Sequence, residues 1–181
     1  MMEFTEVVKE RRSVRKFINK RVEREKFESI VKIASYAPSW KNTQTTRYIF
    51  VEDRKIIKEI AENCVMGFEF NSNIIKNAPA VVVLSNIKGR CGYERDGSFS
   101  TSKEDRWEMF DAGISAQTFC LAAHDLGLGS VIMGVFDEIK LKDTIELSED
   151  QSVSAIIAIG YSDEKPVMPK RKDLDVLIRY I

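Results

Sequence analysis

The sequence lacks most of the motifs on which hydrolytic and phosphoryl-transfer enzymes depend. It contains one histidine, His124, and neither a GxSxG nucleophile turn nor an HExxH zinc motif. No GxxxxGK[ST] phosphate loop occurs, and the glycines of "GLGSVIMG" precede a predicted strand rather than joining a strand to a helix. These absences argue against a triad or zinc hydrolase, a P-loop enzyme and a Rossmann domain. We interpret His124 as a structural residue near a helix end rather than a general base.

The chain also lacks an excess of one charge, closely spaced cysteines and long apolar runs. Its 28 Lys and Arg residues balance 28 Asp and Glu residues, which argues against a nucleic-acid or membrane-surface partner. The 3 cysteines form no CxxC pair, so we predict neither a disulfide framework nor a metal site. No apolar run approaches the roughly 20 residues that span a bilayer, and the first segment does not resemble a signal peptide. We therefore expect a cytoplasmic protein.

Hydrophobic periodicity predicts an α+β domain. Apolar spacing predicts helices within 3–12, 23–38, 53–64, 104–127 and 137–147, and β-branched runs predict strands at 47–51, 80–84, 130–136 and 153–161. This order lacks the strict alternation of a doubly wound fold, so we predict a sheet flanked by helices in a single domain over residues 1–181. A glycine- and serine-rich stretch, the 88–104 segment, is predicted to be a surface loop or flap.

Positive charge is concentrated near both ends of the chain. The segment "KERRSVRKF" places several cationic side chains and a serine where the first helix should end. Guanidinium and hydroxyl donors of this kind suit a phosphate group, and a second basic cluster at 170–172 could meet the first in space. The alternative is that both clusters are solvated or complement helix dipoles, and spacing alone does not decide between the two. The candidate phosphate-binding donors near the first helix are Arg11, Arg12, Ser13 and Arg15.

Four segments of the chain, taken together, carry a family resemblance. They are "RRSVRKF", "APSWKNTQ", "DAGISAQTFCLAAHDLGLGSVIMGVF" and "IAIGYSDEKPVMPKRKDLDVLI". In this order and spacing they resemble the nitroreductase family of FMN-dependent oxidoreductases, over nearly the whole chain. The resemblance implies an α+β fold with a central mixed, mainly antiparallel sheet flanked by helices. It also implies an intertwined homodimer with two flavins at the interface.

The resemblance implies that the two ends of the chain hold the FMN phosphate together. The first motif would bind the phosphate, and its last arginine would reach the ribityl and pyrimidine side of the flavin. Basic residues near the C-terminus would complete the phosphate site. The residues implied are Arg11, Arg12, Ser13 and Arg15 from one end, and Lys170 and Arg171 from the other.

Contacts with the flavin ring are implied for three further parts of the chain. The loop with the pattern P-S-x-x-N-x-Q would approach the flavin from the partner subunit, with turn chemistry as the alternative role of its amides. Asn71 would reach the ring, and the segment "IMG" would lie against the isoalloxazine with a backbone N–H near N5. The residues implied are Pro38, Ser39, Trp40, Asn42 and Gln44 in the loop, and Ile132, Met133 and Gly134 in the segment.

The homodimer interface is expected to use the long helix and the end of the chain. Small side chains on the helix would allow close packing, and the last residues, "DVLIRYI", would wrap the partner. The helix residues concerned are Ala112, Gly113, Ser115, Ala116 and Phe119.

The function implied by the resemblance is hydride transfer from NADH or NADPH to flavin N5, followed by reduction of a small acceptor such as a nitroaromatic or quinone. Both steps would use one pocket in a ping-pong mechanism. FMN would carry the chemistry, so no catalytic acid–base pair is expected. Two alternatives remain, a non-catalytic flavin carrier or sensor and a phosphate-anchored regulatory domain without flavin.

Overall fold

The computed structural model describes residues 3–181, so the first two residues of the predicted domain lie outside the described residues. The helices are α1 (Phe4–Glu10), α2 (Arg24–Ala34), α3 (Arg54–Glu59), α4 (Glu69–Asn77), α5 (Arg106–Asp125), α6 (Glu138–Thr144) and α7 (Leu174–Leu177). A π-helical turn, Ile60–Cys64, continues α3, and a short 3-10 turn spans Trp40–Asn42. The strands are β1 (Thr46–Val51), β2 (Ala80–Ile87), β3 (Gly129–Met133) and β4 (Gln151–Gly160).

The four strands form one sheet in the order β1-β2-β4-β3, and every ladder is antiparallel. The only parallel pairing in the described chain is an isolated bridge between Ser13 and Ser130 at the edge of β3. This architecture confirms the predicted α+β fold with a mainly antiparallel sheet. None of the helices described is both long and apolar enough to cross a membrane.

Side-chain alternation on β2 and β4 gives the sheet two apolar faces, each covered by helices. Val81 and Val83 of β2 face the cluster that contains α3, α4 and α6. Ala80 and Val82 face the opposite cluster, which α2 and α5 complete. Helices on both sides explain why β2 is almost continuously apolar.

Two helix ends carry capping residues, and two helices, α4 and the short α7, were not predicted. Asp53 caps α3 by accepting hydrogen bonds from the backbone N–H groups of Lys55 and Ile56, and Gly127 follows α5 with a φ of 78°. The sequence does not predict α4, because three of its nine residues are asparagines, which favour turns over helix interiors. It forms because Asn71, Ile74 and Ile75 are buried on one face.

The predicted interface face of α5 is wrong. Ala112 and Ala116 pack against Leu84 and Ala155 of the same chain's sheet, and Phe119 is fully buried among α2 and β4 residues. The exposed side of α5 is instead the one that carries the large apolar residues Met109 and Phe110. The prediction failed because small side chains suit close packing against any neighbour, and the nearest neighbour is the sheet. Of the five predicted residues, only Gly113 is exposed.

Candidate active site

Residues 11–17, the N-terminal motif, lie along the outer edge of β3. The Val14 N–H donates to the carbonyl of Ser130 at 3.0 Å, and Ser13 forms the parallel bridge to the same residue. Gly129 permits this approach, because a Cβ there would lie 2.7 Å from the Cβ of Val14. The motif is therefore held against the sheet by backbone bonds, and its side chains are not needed for this docking.

The donors of the motif differ in what they contact. Within residues 3–181 the Arg11 guanidinium and the Ser13 hydroxyl make no hydrogen bond or ion pair, although both residues are half-buried. The exposed Arg15 guanidinium donates to the Ser13 carbonyl at 3.2 Å. Arg12 is occupied: its Nη1 donates to the carbonyls of Lys9 and Arg11 at the end of α1. The helix-end interpretation thus holds for Arg12, and the other three offer donors that could bind an anion.

The start of the C-terminal tail, residues 162–181, contacts the motif, but the basic cluster of the tail does not. The Glu164 carboxylate accepts hydrogen bonds from the backbone N–H groups of Arg15 and Lys16. Lys170 and Arg171 are exposed, and neither bonds to the motif in the part of the chain that the structure describes. The structure therefore does not bring the two predicted halves of the phosphate site together in one subunit.

Asn71 follows Phe70, a residue of α4 that contacts the motif. It is 6% exposed on α4, and its side chain makes no hydrogen bond to any residue between 3 and 181. Its neighbour Phe70 lies under the Arg15 guanidinium, 5.9 Å from the charged carbon to the ring centroid. The Asn71 side-chain amide is therefore available to a ligand or to water.

The side chains at the end of β3 alternate between the surface and the core. Ile132 is 45% exposed, whereas Met133 is 4% exposed and packs in the core, so only the backbone of Met133 can contribute to a surface site. Gly134 is exposed with open space where a side chain would lie. Ile132 and Gly134 thus form a surface beside the motif on which a flat ring could rest.

The loop at residues 38–44, the 38–44 loop, is tightly bent. Lys41, Asn42 and Gln44 have φ angles of 46°, 55° and 49°, a region that non-glycine residues seldom adopt. The Gln44 side-chain amide donates to Asn42 Oδ1 at 3.1 Å, and the Gln44 backbone N–H donates to Ser39 Oγ at 3.0 Å. These bonds are the predicted turn chemistry, and the exposed Pro38 and Asn42 remain accessible.

The 38–44 loop is anchored at the first turns of α5. The Trp40 backbone N–H donates to Asp111 Oδ2 at 2.8 Å, and the Trp40 and Trp107 ring centroids are 4.9 Å apart. The Trp40 Nε1–H is buried without a partner in residues 3–181. An open groove of about 1000 Å³ separates the loop from the 88–104 segment and is lined in part by Lys41, Arg90 and Tyr93.

The N-terminal motif lies at the other end of α5. The helix ends at Asp125, four residues before β3 begins at Gly129, and the motif pairs with β3 at Ser130. Burial is the main cause of the lowered pKa of His124 in the last turn of α5, and the Arg11 and Arg12 charges lower it further. From Asp111 to His124 the helix rises by about 20 Å. In one chain, therefore, the two parts of the predicted flavin site are far apart.

Sequence reasoning missed two buried carboxylates on α5, Glu108 and Asp111. Glu108 accepts a hydrogen bond from the Gly89 N–H at 2.9 Å, and burial raises the pKa of its carboxyl group. The sequence could have revealed them by their spacing, because Glu108 and Asp111 lie four residues before Ala112 and Ser115. All four therefore share one helix face, and the rest of that face carries small and apolar side chains.

Comparison with known proteins identifies the family of the chain. The family model described as Nitroreductase family matches residues 8–161. The chain is 31% identical over 170 residues to an Archaeoglobus fulgidus protein that carries the provisional name NADH dehydrogenase/NAD(P)H nitroreductase, covering 91% of this chain and 89% of that protein.

Two solved structures share the fold. An FMN-dependent nitroreductase from Clostridium difficile R20291 is 31% identical, with a TM-score of 0.77 and 98% of each chain covered. A nitroreductase family protein from Streptococcus pneumoniae TIGR4 has a TM-score of 0.85 at 23% identity, covering 99% of this chain and 100% of that one. The matched region includes the N-terminal motif, the 38–44 loop and the whole sheet, and the chain belongs to the nitroreductase family.

Proposed function

We propose that the protein is an FMN-dependent oxidoreductase that takes a hydride from NADH or NADPH and reduces a small acceptor such as a nitroaromatic or quinone. The observation that carries the proposal is the pair of donors, Arg11 and Ser13, that have no side-chain partner within residues 3–181 and are held beside the exposed end of β3. Family membership, the FMN-dependent relative and a Helicobacter acinonychis relative named as an NADPH nitroreductase support it.

The phosphate end of FMN would be bound by Arg11, Ser13 and Arg15. The residues fit the group, since a dianionic phosphate accepts hydrogen bonds and these three side chains offer donors that the protein itself leaves largely unused. Each charge-assisted bond contributes roughly 1.5 to 3 kcal/mol net. Lys170 and Arg171 would add charge only if the tail folds back or comes from a partner.

The ring would lie against Ile132 and Gly134, with the Asn71 amide as a polar contact at its edge. FMN, when bound, supplies the chemistry of hydride and electron transfer between the nucleotide and the acceptor. The protein would hold the ring and exclude water on the Ile132 side, and the substrates would approach from the opposite face. Donor and acceptor would then occupy that face in turn, which is the basis for expecting ping-pong kinetics.

The partner subunit would supply the 38–44 loop, since about 20 Å of α5 separate that loop from the motif within one chain. Two exposed apolar surfaces support a homodimer. Met109 and Phe110 on α5 are 57% and 58% exposed, and Leu174 and Val176 of the tail are 70% and 64% exposed. Apolar patches of this kind mark interaction surfaces in proteins that do not act as monomers. A monomeric, FMN-loaded protein in light scattering would contradict the dimer.

One spectroscopic experiment tests the function and its alternatives. The purified protein, reconstituted with FMN and made anaerobic, should lose its visible flavin absorbance when NADH or NADPH is added, and a nitroaromatic or quinone should restore it. Bound FMN that neither nucleotide bleaches would favour a carrier or sensor. A protein that stays colourless after reconstitution would reject flavin binding altogether. The cytoplasmic location remains a prediction, and all three cysteines of the chain are free and buried.

A further inference from the structure

Two buried carboxylates on α5 are held by hydrogen bonds rather than by ion pairs within residues 3–181. Glu108 and Asp111 are 9% and 3% exposed, and neither forms an ion pair with any of residues 3–181. A buried carboxylate is destabilising unless hydrogen-bond donors satisfy it. The donors that satisfy these two come from separate parts of the chain, which indicates that the carboxylates hold those parts in place.

One oxygen of Asp111 joins two segments that are distant in sequence. Asp111 Oδ2 accepts the Trp40 backbone N–H of the 38–44 loop at 2.8 Å and the Cys91 thiol of the 88–104 segment at 3.0 Å. Burial of Cys91 raises the pKa of its thiol, so the sulfur stays protonated and can donate. The loop and the segment therefore share a single acceptor atom.

Other contacts strengthen the same junction. Lys41 Nζ lies 2.9 Å from both carboxylate oxygens of Glu94. Gly92 packs against the start of α5 so closely that a Cβ there would lie 2.3 Å from the carbonyl oxygen of Glu104. The three left-handed residues of the loop need such support, since backbone in this region persists only when its surroundings hold it.

We propose that Asp111 is a positioning residue that couples the 88–104 segment to the 38–44 loop and so maintains the loop conformation that FMN binding requires. The part concerning FMN rests on the proposed function. Asp111 acts through the Trp40 backbone and does not itself touch the cofactor. A change in the 88–104 segment would then alter the loop even where the two do not touch.

The coupling is tested without cofactor by hydrogen–deuterium exchange on Cys91→Ala. This variant removes one donor and leaves the Trp40 bond to Asp111 intact. We expect faster exchange in the 88–104 segment and also in the 38–44 loop. Faster exchange in the 88–104 segment alone would overturn the coupling. Leu141→Ala is the control, because it opens the buried core under α6, far from α5, and should leave both segments protected.

The effect on the site is tested with Asp111→Ala and Asp111→Asn. The alanine variant leaves both donors unpaired and should weaken FMN binding by about tenfold or more, whereas asparagine retains an acceptor oxygen and should restore most of the affinity. The two tryptophans of the chain, Trp40 and Trp107, should lose their exciton signal in circular dichroism in the alanine variant only.

Unchanged FMN affinity in Asp111→Ala would overturn the positioning role, as would equal losses in the alanine and asparagine variants. Failure of the unaltered protein to bind FMN would instead reject the proposed function. The coupling would still be judged by hydrogen exchange and by the tryptophan signal, neither of which needs the cofactor.

Discussion

At the scale of single residues, Arg11 and Arg12 are neighbours with different tasks. The Arg12 guanidinium bonds to carbonyls at the end of α1, whereas the Arg11 guanidinium is half-buried without a protein hydrogen bond in residues 3–181. Composition cannot separate two adjacent arginines, because both have the same charge and the same donors. Their backbone directions at the helix end determine which one faces the site.

This difference predicts unequal effects of two matched substitutions. Arg11→Ala should weaken FMN binding by about 10- to 100-fold, the loss of one or two charge-assisted bonds. Arg12→Ala should leave FMN affinity within about threefold and lower the stability of the protein by about 0.5 to 1 kcal/mol through the lost helix-end bonds. Fluorescence titration of FMN and urea unfolding measure the two quantities. Equal losses of affinity would show that Arg12 also binds the phosphate.

His124 makes the stability of the folded protein depend on pH. Burial is the main cause of its lowered pKa, the charges of Arg11 and Arg12 lower it further, and Glu10 and Asp125 oppose them. The unfolded chain keeps the ordinary histidine pKa of about 6.5, so below that pH the unfolded state binds the proton more readily. The stability that neutral His124 contributes is therefore present above about pH 6.5 and lost as the pH falls through the folded-state pKa.

His124→Gln should remove this response. We expect the free energy of unfolding of the unaltered protein to fall between pH 7.5 and pH 5.5 by more than that of the variant, as measured by urea denaturation. His124 is the only histidine, and the carboxyl groups are common to both proteins, so the difference reports one side chain. Parallel pH profiles would contradict the assignment.

At the scale of elements, the N-terminal motif completes the sheet beside β3. It covers an edge that would otherwise expose unpaired backbone groups, and its position depends on the close approach of Val14 to Gly129. The motif is therefore both a structural strand partner and the candidate phosphate site. A disturbance of its docking should affect stability and cofactor binding together.

Gly129→Ala is expected to lower stability by about 1 to 3 kcal/mol, because the new methyl group would overlap the Val14 side chain. The same substitution should be less destabilising in a Val14→Ala background, where the two Val14 Cγ atoms are gone. A double-mutant cycle by urea unfolding measures this coupling. Additive effects would mean that the motif does not dock at Gly129.

The strands and most helices follow from periodicity, whereas the candidate site follows only in part. β2 and β4 are apolar runs that propensity identifies directly, but α4 is hidden by its asparagines and forms because tertiary burial outweighs weak helix propensity. Asp111 could not be predicted as an anchor, since its donors lie 71 and 20 residues away in the chain. Resemblance supplied the cofactor assignment, which residue spacing alone left open.

At the scale of the whole molecule, the proposed homodimer explains both the exposed apolar tail and the exposed face of α5. Although the chain has a buried core, the tail residues Leu177 and Ile178 remain 62% and 45% exposed. These residues have no role in the packing of their own subunit. In the proposed homodimer they would lie on the partner, so removal of residues 174–181 should yield a monomer in light scattering.

Because the motif and the 38–44 loop lie at opposite ends of α5, two different defective subunits should be able to complement each other in a mixed dimer. If each flavin takes its phosphate contacts from one subunit and its loop from the other, a subunit defective only in Arg11 and a subunit defective only in the loop can compensate for each other. Equal amounts of the two, unfolded and refolded together, should recover activity in about a quarter of the sites, because half of the dimers are mixed and each mixed dimer has one intact site. Two inactive preparations would thus produce an active one, whereas sites built within single chains would stay inactive in every mixture.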